Sequence, residues 1–177
     1  MNPIRACLLL ILSCLSLSAP ADPLASAQGF LDQAFPATTG APQMKALWLT
    51  GELKSTLHEK FDYTPAQLRL RYWQQGDRTA WILDEIGKER PITIGVAVAA
   101  GQIDRVDILE YRESRGGEIQ QSFFTEQFDH AVLVEKGDAP GLDRQINGIT
   151  GATLSVRAVK KIATLALFLD RMVSSPQ

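Results

Sequence analysis

Apolar residues recur at helical spacing in three segments, two near the start of the chain and one at its end. Spacings of three and four residues predict helices over residues 22–35 and 47–61. Residues 155–173 carry the strongest pattern, with basic and polar side chains on one face and apolar side chains around the rest. That polar face comprises Arg157, Lys160, Lys161, Thr164 and Arg171.

The middle of the chain changes to the two-residue period of strands. Apolar and basic residues alternate over residues 68–73, and a Gln-Gly-Asp turn joins this segment to a second strand at 79–83. Residues 91–99 are rich in Ile, Val and Ala and carry no charge, which predicts a central strand buried on both faces. A further strand is expected over residues 103–111.

These elements together predict an α+β fold. We expect a mainly antiparallel sheet with N-terminal helices and a C-terminal amphipathic helix packed on it. Between the sheet and the last helix, residues 123–128 are expected to form a short helix and residues 138–141 a loop. The chain of 177 residues is long enough for one domain with a substantial core.

The first 21 residues have the pattern of a secretory signal peptide. Arg5 precedes an almost wholly apolar run over residues 6–17, and small residues follow, with cleavage expected after Ala21. A retained membrane anchor is the alternative, but the run is shorter than the roughly 20 residues of a spanning helix. A second alternative is a lipoprotein attached through Cys14, although Leu12 fits a lipobox poorly. The pattern therefore predicts a periplasmic protein.

Composition excludes several classes of function. Both cysteines lie in the signal segment, so the mature chain has no disulfide, thiolate metal ligand or cysteine nucleophile. Cleavage would remove Arg5 from the 18 basic residues and none of the 20 acidic ones, leaving a net charge of −3 with no basic stripe for nucleic acid. His58 and His130 show no metal-ligand spacing, and no Gly-x-Gly-x-x-Gly fingerprint for NAD is present.

The segment 147–155 has the features of a phosphate seat. Its two glycines permit a tight turn, and the C-terminal helix begins directly afterwards. Unpaired N–H groups and the positive end of the helix dipole would point at this turn, where Thr153 supplies a hydroxyl. The alternative is structural, with Thr153 or Ser155 as an ordinary N-cap of the helix.

The hexapeptide from Thr150 to Ser155 closely resembles the flavinylation motif of the FMN-binding domain family. Members of that family include subunits of the sodium-pumping NADH:quinone oxidoreductase and of the Rnf electron-transport complex. The resemblance covers about residues 92–172 and implies a phosphoester between FMN and Thr153, made by a flavin transferase that uses FAD. The cofactor-binding residues it implies here are Thr150, Gly151, Ala152, Thr153, Leu154 and Ser155.

One position departs from the family pattern. An acidic residue usually stands three positions before the first Ser or Thr of the motif, and this chain has Asn147 there. Asparagine can hydrogen-bond, but it carries no charge and takes no proton. If the carboxylate assists the transferase, attachment would be slow or absent, unless the nearby Asp143 substitutes for it.

A second segment supports the resemblance. Residues 113–118 read Glu-Ser-Arg-Gly-Gly-Glu and look like the family's loop against the flavin. Glu113 or Ser114 would hydrogen-bond the ring or the ribityl chain, and Arg115 would offset phosphate charge. The alternative is a solvated loop with a Gly-Gly turn.

Aromatic residues are weaker candidates for flavin contact. Phe123, Phe124 and Phe128 could pack on the ring, but aromatic residues in such positions are usually core. Trp48, Trp73 and Trp81 are expected to be hydrophobic anchors.

The sequence patterns place a signal peptide at 1–21 and an N-terminal helical segment at 22–65, and the FMN-binding domain that the resemblance implies is placed at 66–177. It implies an electron carrier or redox subunit rather than a stand-alone enzyme, with membrane or periplasmic haem or flavin reductases as partners. Two alternatives stay open. One is an unflavinylated ligand-binding or interaction module, and the other is a flavin-dependent reductase of a small extracellular acceptor.

Overall fold

A computed structural model describes residues 23–35, 40–137 and 139–174. The expected signal peptide lies outside these residues. The predicted α+β architecture is confirmed: a five-stranded antiparallel sheet is packed between helices. Within the described ranges, no helix combines the length and the apolar character that crossing a bilayer requires.

The described chain contains four α-helices and seven strands. The helices are α1 (Pro23–Ala34), α2 (Gly51–Phe61), α3 (Ser122–Thr125) and α4 (Thr153–Ser174). The strands are β1 (Gln43–Trp48), β2 (Arg69–Gln75), β3 (Arg78–Ile86), β4 (Pro91–Ala99), β5 (Gln102–Glu110), β6 (Leu133–Lys136) and β7 (Ala139–Leu142). Two short 3-10 turns flank α3, at Gly117–Gln120 and Glu126–Phe128.

Strands β1 to β5 follow one another in the sheet in chain order, each antiparallel to the last. On one face, α4 packs over β3 and β4 and shares the main core with α2. On the other face, α1 covers β3 to β5 with the ring of Phe30, which contacts the backbone of Gly95 closely. Strand β4 is therefore buried from both sides, as its uncharged sequence predicts.

Two predicted elements have different structures. Leu47 and Trp48 belong to the edge strand β1, and the helix predicted over 47–61 begins only at Gly51. The helix begins there because the Thr50 hydroxyl caps it, accepting the Leu53 N–H at 3.2 Å. The prediction of a loop at 138–141 is also wrong for residues 139–141, because Ala139–Leu142 forms a strand that pairs with β6 in a hairpin.

The antiparallel topology brings three chain segments to one end of the sheet. Strand β3 ends at Ile86 opposite the start of β4, and β5 ends beside the same region, with Thr93 paired to Glu110. The 87–90 turn and the segment after β5 therefore emerge together. Helix α4 crosses β3 and β4 and begins at this end, which completes the site described below.

A polar network ties the far half of α4 to the sheet. Asp170 is buried and accepts a 2.6 Å hydrogen bond from the Thr79 hydroxyl, which in turn accepts the Trp81 indole N–H at 3.1 Å. Burial raises the pKa of Asp170 above its ordinary value, while the Thr79 bond works in the opposite direction. One hydroxyl thus satisfies two buried partners.

Replacing Thr79 with valine should destabilise the fold. The substitution keeps the shape of the side chain and leaves the Trp81 N–H without its partner. The Asp170 carboxyl keeps only the longer hydrogen bond from Ser174, at 3.4 Å. A buried group left unsatisfied costs about 1–3 kcal/mol, so we expect a fall of that order in the free energy of unfolding. Urea denaturation measures it, with Thr79→Ser as the control that retains the hydroxyl. Equal stability of the valine variant and the native protein would show that the network contributes nothing.

Candidate functional site

A cavity of about 570 Å³ opens where the 87–90 turn, the segment after β5 and the start of α4 meet. Ten residues line it: Lys88, Glu89, Glu113, Ser114, Arg115, Gly151, Ala152, Thr153, Leu154 and Ser155. The three segments are far apart in sequence, and specific contacts fix each one relative to the others.

The closest of these contacts joins Gly116 to Ala152. A β-carbon at position 116 would lie 2.6 Å from the β-carbon of Ala152 and 2.9 Å from the hydroxyl oxygen of Tyr111. Gly116 also has a φ of 85°, in the left-handed region that favours glycine. The two loops can therefore approach each other this closely only because residue 116 has no side chain.

Tyr111 fastens the same two loops with its hydroxyl group. It hydrogen-bonds the carbonyl oxygen of Arg115, and its oxygen lies 3.2 Å from Oγ of Ser155. Ser155 is buried in the first turn of α4. The phenol thus ties the segment after β5 to the start of the last helix.

Glu113 fixes the third segment. Its Oε1 accepts three backbone hydrogen bonds from the 87–90 turn, from Lys88 at 2.6 Å, Glu89 at 2.7 Å and Arg90 at 3.0 Å. These bonds, those from Arg90 and Glu89 foremost, lower the pKa of the carboxyl below its ordinary value and keep it ionised. The expected contact of Glu113 with a ring or ribityl chain stays a prediction, but this oxygen already positions the turn.

The start of α4 presents donors and a hydroxyl to the cavity. The N–H of Ala152 donates to Ile149, and the carbonyl of Ala152 accepts the first helical bond from Val156. The N–H groups of the first turn precede that bond and have no acceptor within the helix. The methyl side chain of Ala152 cannot cap them, whereas the Thr153 side chain is exposed at the first helical position.

Most residues singled out from the sequence meet at this cavity. Gly151, Ala152, Thr153, Leu154, Ser155, Glu113, Ser114 and Arg115 all line it. Thr150 does not, and lies exposed on the turn before the helix. Lys88 and Glu89 were missed because they read as an ordinary surface turn, and no sequence signal marks them.

Asn147, the position that departs from the family pattern, lies outside the cavity. Asn147 is exposed, and its backbone N–H donates to the side-chain carbonyl of Gln127 at 2.7 Å. Asp143 does not line the cavity either. Its carboxylate pairs with Arg144 and accepts the Val132 N–H, and these two contacts lower its pKa. The carboxylate is therefore already used in holding the residue before β6.

The aromatic candidates lie elsewhere. Phe124 and Phe128 are fully buried in the main core, and Phe123 is exposed away from the cavity. Trp81 is a buried anchor stacked on Tyr72 at 4.7 Å between ring centroids. The prediction for Trp48 is wrong, because this ring is 62% exposed on the edge strand, beneath the guanidinium of Arg69.

Comparison with known proteins identifies one family. Residues 87–167 match the family of FMN-binding domains, and the match spans the 87–90 turn, the segment after β5 and the first two-thirds of α4. No curated protein matches the chain significantly, and no solved structure does.

Replacing Gly116 with alanine should separate the two loops. The added methyl group would overlap Ala152, and the residue would also be strained at positive φ. Overpacking of this kind costs about 1–3 kcal/mol, in addition to the backbone strain. We expect a lower free energy of unfolding and faster amide exchange over residues 150–155.

Gly101→Ala is the matched control, because Gly101 has a similar φ of 75° and a β-carbon at that position would meet only open space. Gly101→Ala should therefore show only the stability loss that comes from backbone strain at positive φ. Identical stability losses and exchange rates in the two variants would mean that the contact with Ala152 is unimportant.

Proposed function

Residues 87–167 belong to the FMN-binding domain family, and from this we propose that the protein is an extracytoplasmic electron carrier with FMN joined covalently to Thr153. Binding of FMN follows from the family. Export, covalent attachment and electron transfer are our proposals. The observation that carries the covalent attachment is the exposed hydroxyl of Thr153 in the cavity at the first turn of α4.

The cavity suits FMN in size and in the hydrogen-bond donors at its helical end. Its volume of about 570 Å³ lies within the range of roughly 300–1,000 Å³ typical of cofactor sites. Unpaired N–H groups at the start of α4 suit a phosphate group. The lining has two cations, Lys88 and Arg115, and two acids, Glu89 and Glu113, and Lys88 pairs with Glu89, so Arg115 is the cation available to a phosphate. The serine and backbone groups of the 113–116 segment supply polar contacts for the rest of the molecule.

Thr153 would be the point of attachment. A flavin transferase would join the Thr153 oxygen to the FMN phosphorus, breaking the pyrophosphate bond of FAD, releasing AMP and removing the hydroxyl proton. The protein's contribution is to hold this oxygen beside donors that stabilise the phosphate charge, in a turn whose geometry the contact between Gly116 and Ala152 fixes.

Bound FMN would supply one- and two-electron chemistry, which suits exchange between redox proteins. A covalent link retains the cofactor outside the cytoplasm, where a dissociated nucleotide would be lost by diffusion. The signal-peptide pattern in residues 1–21 supports export. Membrane or periplasmic haem or flavin reductases are the proposed partners.

Replacing Thr153 with valine should abolish covalent flavin. The exported chain, co-produced with a flavin transferase and denatured, should carry the mass of one FMN less one water, and the valine variant should carry none. Thr153→Ser retains a hydroxyl and should be modified at least in part. Thr150→Val tests the neighbouring hydroxyl and should leave the modification intact. Intact-protein mass spectrometry distinguishes these outcomes.

A native protein that shows only the unmodified mass would contradict the attachment to Thr153. Flavin that separates from the native chain on denaturation would indicate non-covalent binding in the same cavity.

Replacing Asn147 with aspartate should speed attachment. The family resemblance places an acid here, and the exposed position accepts a carboxylate without burying charge. When the transferase is limiting, we expect flavin to be incorporated about tenfold faster. This rate change corresponds to a fall of about 1.4 kcal/mol in the activation free energy of the attachment step. Gln145→Glu adds the same charge at a nearby position outside the motif and should have no effect. Equal rates in all three proteins would show that the acid has no role in this chain.

A further inference from the structure

A second and larger concavity lies along α4, directly beside the candidate flavin cavity. It has a volume of about 910 Å³ and is bounded by the end of α2, the β6–β7 hairpin and the polar face of α4. Leu154 lines both concavities, and Gly87 lines this one beside Lys88 in the other. We name it the α4 groove.

The α4 groove is cationic in a protein with a net negative charge. Its lining contains six basic residues and three acidic ones, whereas the whole chain has a formal charge of −2. The basic residues are Lys60, Lys136, Arg144, Arg157, Lys160 and Lys161, and the acidic ones are Glu59, Asp62 and Glu85. Positive charge is therefore concentrated on one concave surface.

Two of these cations have partners within the fold. Lys161 lies 3.1 Å from Glu85 and 3.7 Å from Asp62, and it also donates to the Asp62 carbonyl. Arg144 pairs with Asp143 and donates to two backbone carbonyls of the preceding loop. These contacts use the side chains to hold the groove together.

The other four cations have no ion pair with any acid in the described part of the chain. They are Lys60, Lys136, Arg157 and Lys160, and among the groove acids only Glu59 is similarly without a cation. Arg157, Lys60 and Lys136 are exposed to solvent. Like charges that line one concave surface repel one another, and an anionic surface in the groove would relieve that repulsion.

Apolar side chains lie where the two concavities meet. Ile86 is 56% exposed and Leu154 is 40% exposed. Exposed apolar residues surrounded by charges of one sign are typical of transient protein interfaces. The charges speed the association of the two proteins, and the apolar residues form the buried contact between them. This contact would lie at the mouth of the candidate flavin cavity.

We propose that the α4 groove is the docking surface for an acidic redox protein, which it seats against Ile86 and Leu154 at the mouth of the flavin cavity. This inference rests on the proposed electron-carrier function. The concave shape favours a protruding acidic protein segment over the flat surface of an anionic membrane, and the adjacent cavity explains why docking there would serve electron transfer.

The test uses a plant-type ferredoxin as the acidic probe and a basic c-type cytochrome as the probe of opposite charge. Binding is measured by calorimetry at low ionic strength with the Thr153→Val chain, so that the result does not depend on the flavin. We expect the ferredoxin to bind and the cytochrome to bind less well. Salt at about 0.15 M should weaken the ferredoxin complex strongly, because it screens charges beyond about 8 Å.

Lys60→Gln, Arg157→Gln and Lys160→Gln are combined in the groove variant. Lys45→Gln, Arg69→Gln and Arg71→Gln are combined in the control, which removes the same charge from strands β1 and β2 outside the groove. The groove variant should lose about tenfold in affinity for ferredoxin, and the control should stay within about twofold. In the flavinylated chain, the rate at which reduced ferredoxin is oxidised and the flavin reduced should fall in parallel.

Equal affinities of the groove and control variants, or tighter binding of the basic cytochrome, would overturn the proposal. Binding to phosphatidylglycerol vesicles that the groove variant loses, with unchanged affinity for ferredoxin, would also overturn it and assign the groove to a membrane. Failure of the chain to take up covalent flavin would instead defeat the proposed function, and the binding measurement would still decide the role of the groove.

Discussion

The candidate site depends on the close approach of two loops that are far apart in sequence. Gly116 follows the last strand of the main sheet, and Ala152 precedes the last helix. Their backbones meet because no side-chain atom of residue 116 stands between them, and the Tyr111 hydroxyl bridges the same loops. The position of Thr153 relative to the sheet is therefore set by packing as well as by the path of the turn.

Helix α4 couples the site to the stability of the whole domain. Its apolar side chains fill the main core over β3 and β4, and Asp170 joins it to Thr79 near its far end. The same helix presents its first turn to the cavity and its basic face to the α4 groove. A rigid core element thus carries the functional groups, which limits the movement available to Thr153.

The sequence pattern predicted the elements whose apolar side chains are buried in the core. The uncharged run of β4 and the long apolar periodicity of α4 were both found because burial selects for those patterns. The end of strand β1 was missed because the four-residue spacing of Leu49, Leu53 and Leu57 directly follows it, and the predicted helix was begun at Leu47. Strand β7 was missed because Pro140 and Gly141 read as a loop, although they pair in a hairpin.

The glycine turn before the last helix could be read from the sequence as a possible phosphate seat or as an ordinary helix cap, and the family resemblance singled out Thr153. Glu113, Ser114 and Arg115 were also singled out through the resemblance, and they line the cavity, but the contacts that hold the three segments together could not be predicted. Glu113 holds a turn more than twenty residues earlier in the chain, and Tyr111 reaches Ser155 across 44 residues. Trp48 was expected in the core because tryptophan usually is, but the edge of the sheet leaves it exposed. The contacts of Glu113 and Tyr111 and the exposure of Trp48 depend on how the strands and helices are arranged, which local sequence patterns do not show.

The most direct test of the account is a crystal structure of the exported chain produced together with a flavin transferase. We expect continuous electron density from Oγ of Thr153 into a phosphate whose oxygens accept the N–H groups of the first turn of α4, with Gly116 still against Ala152. Phosphate density elsewhere, or a flavin held with the two loops apart, would contradict it.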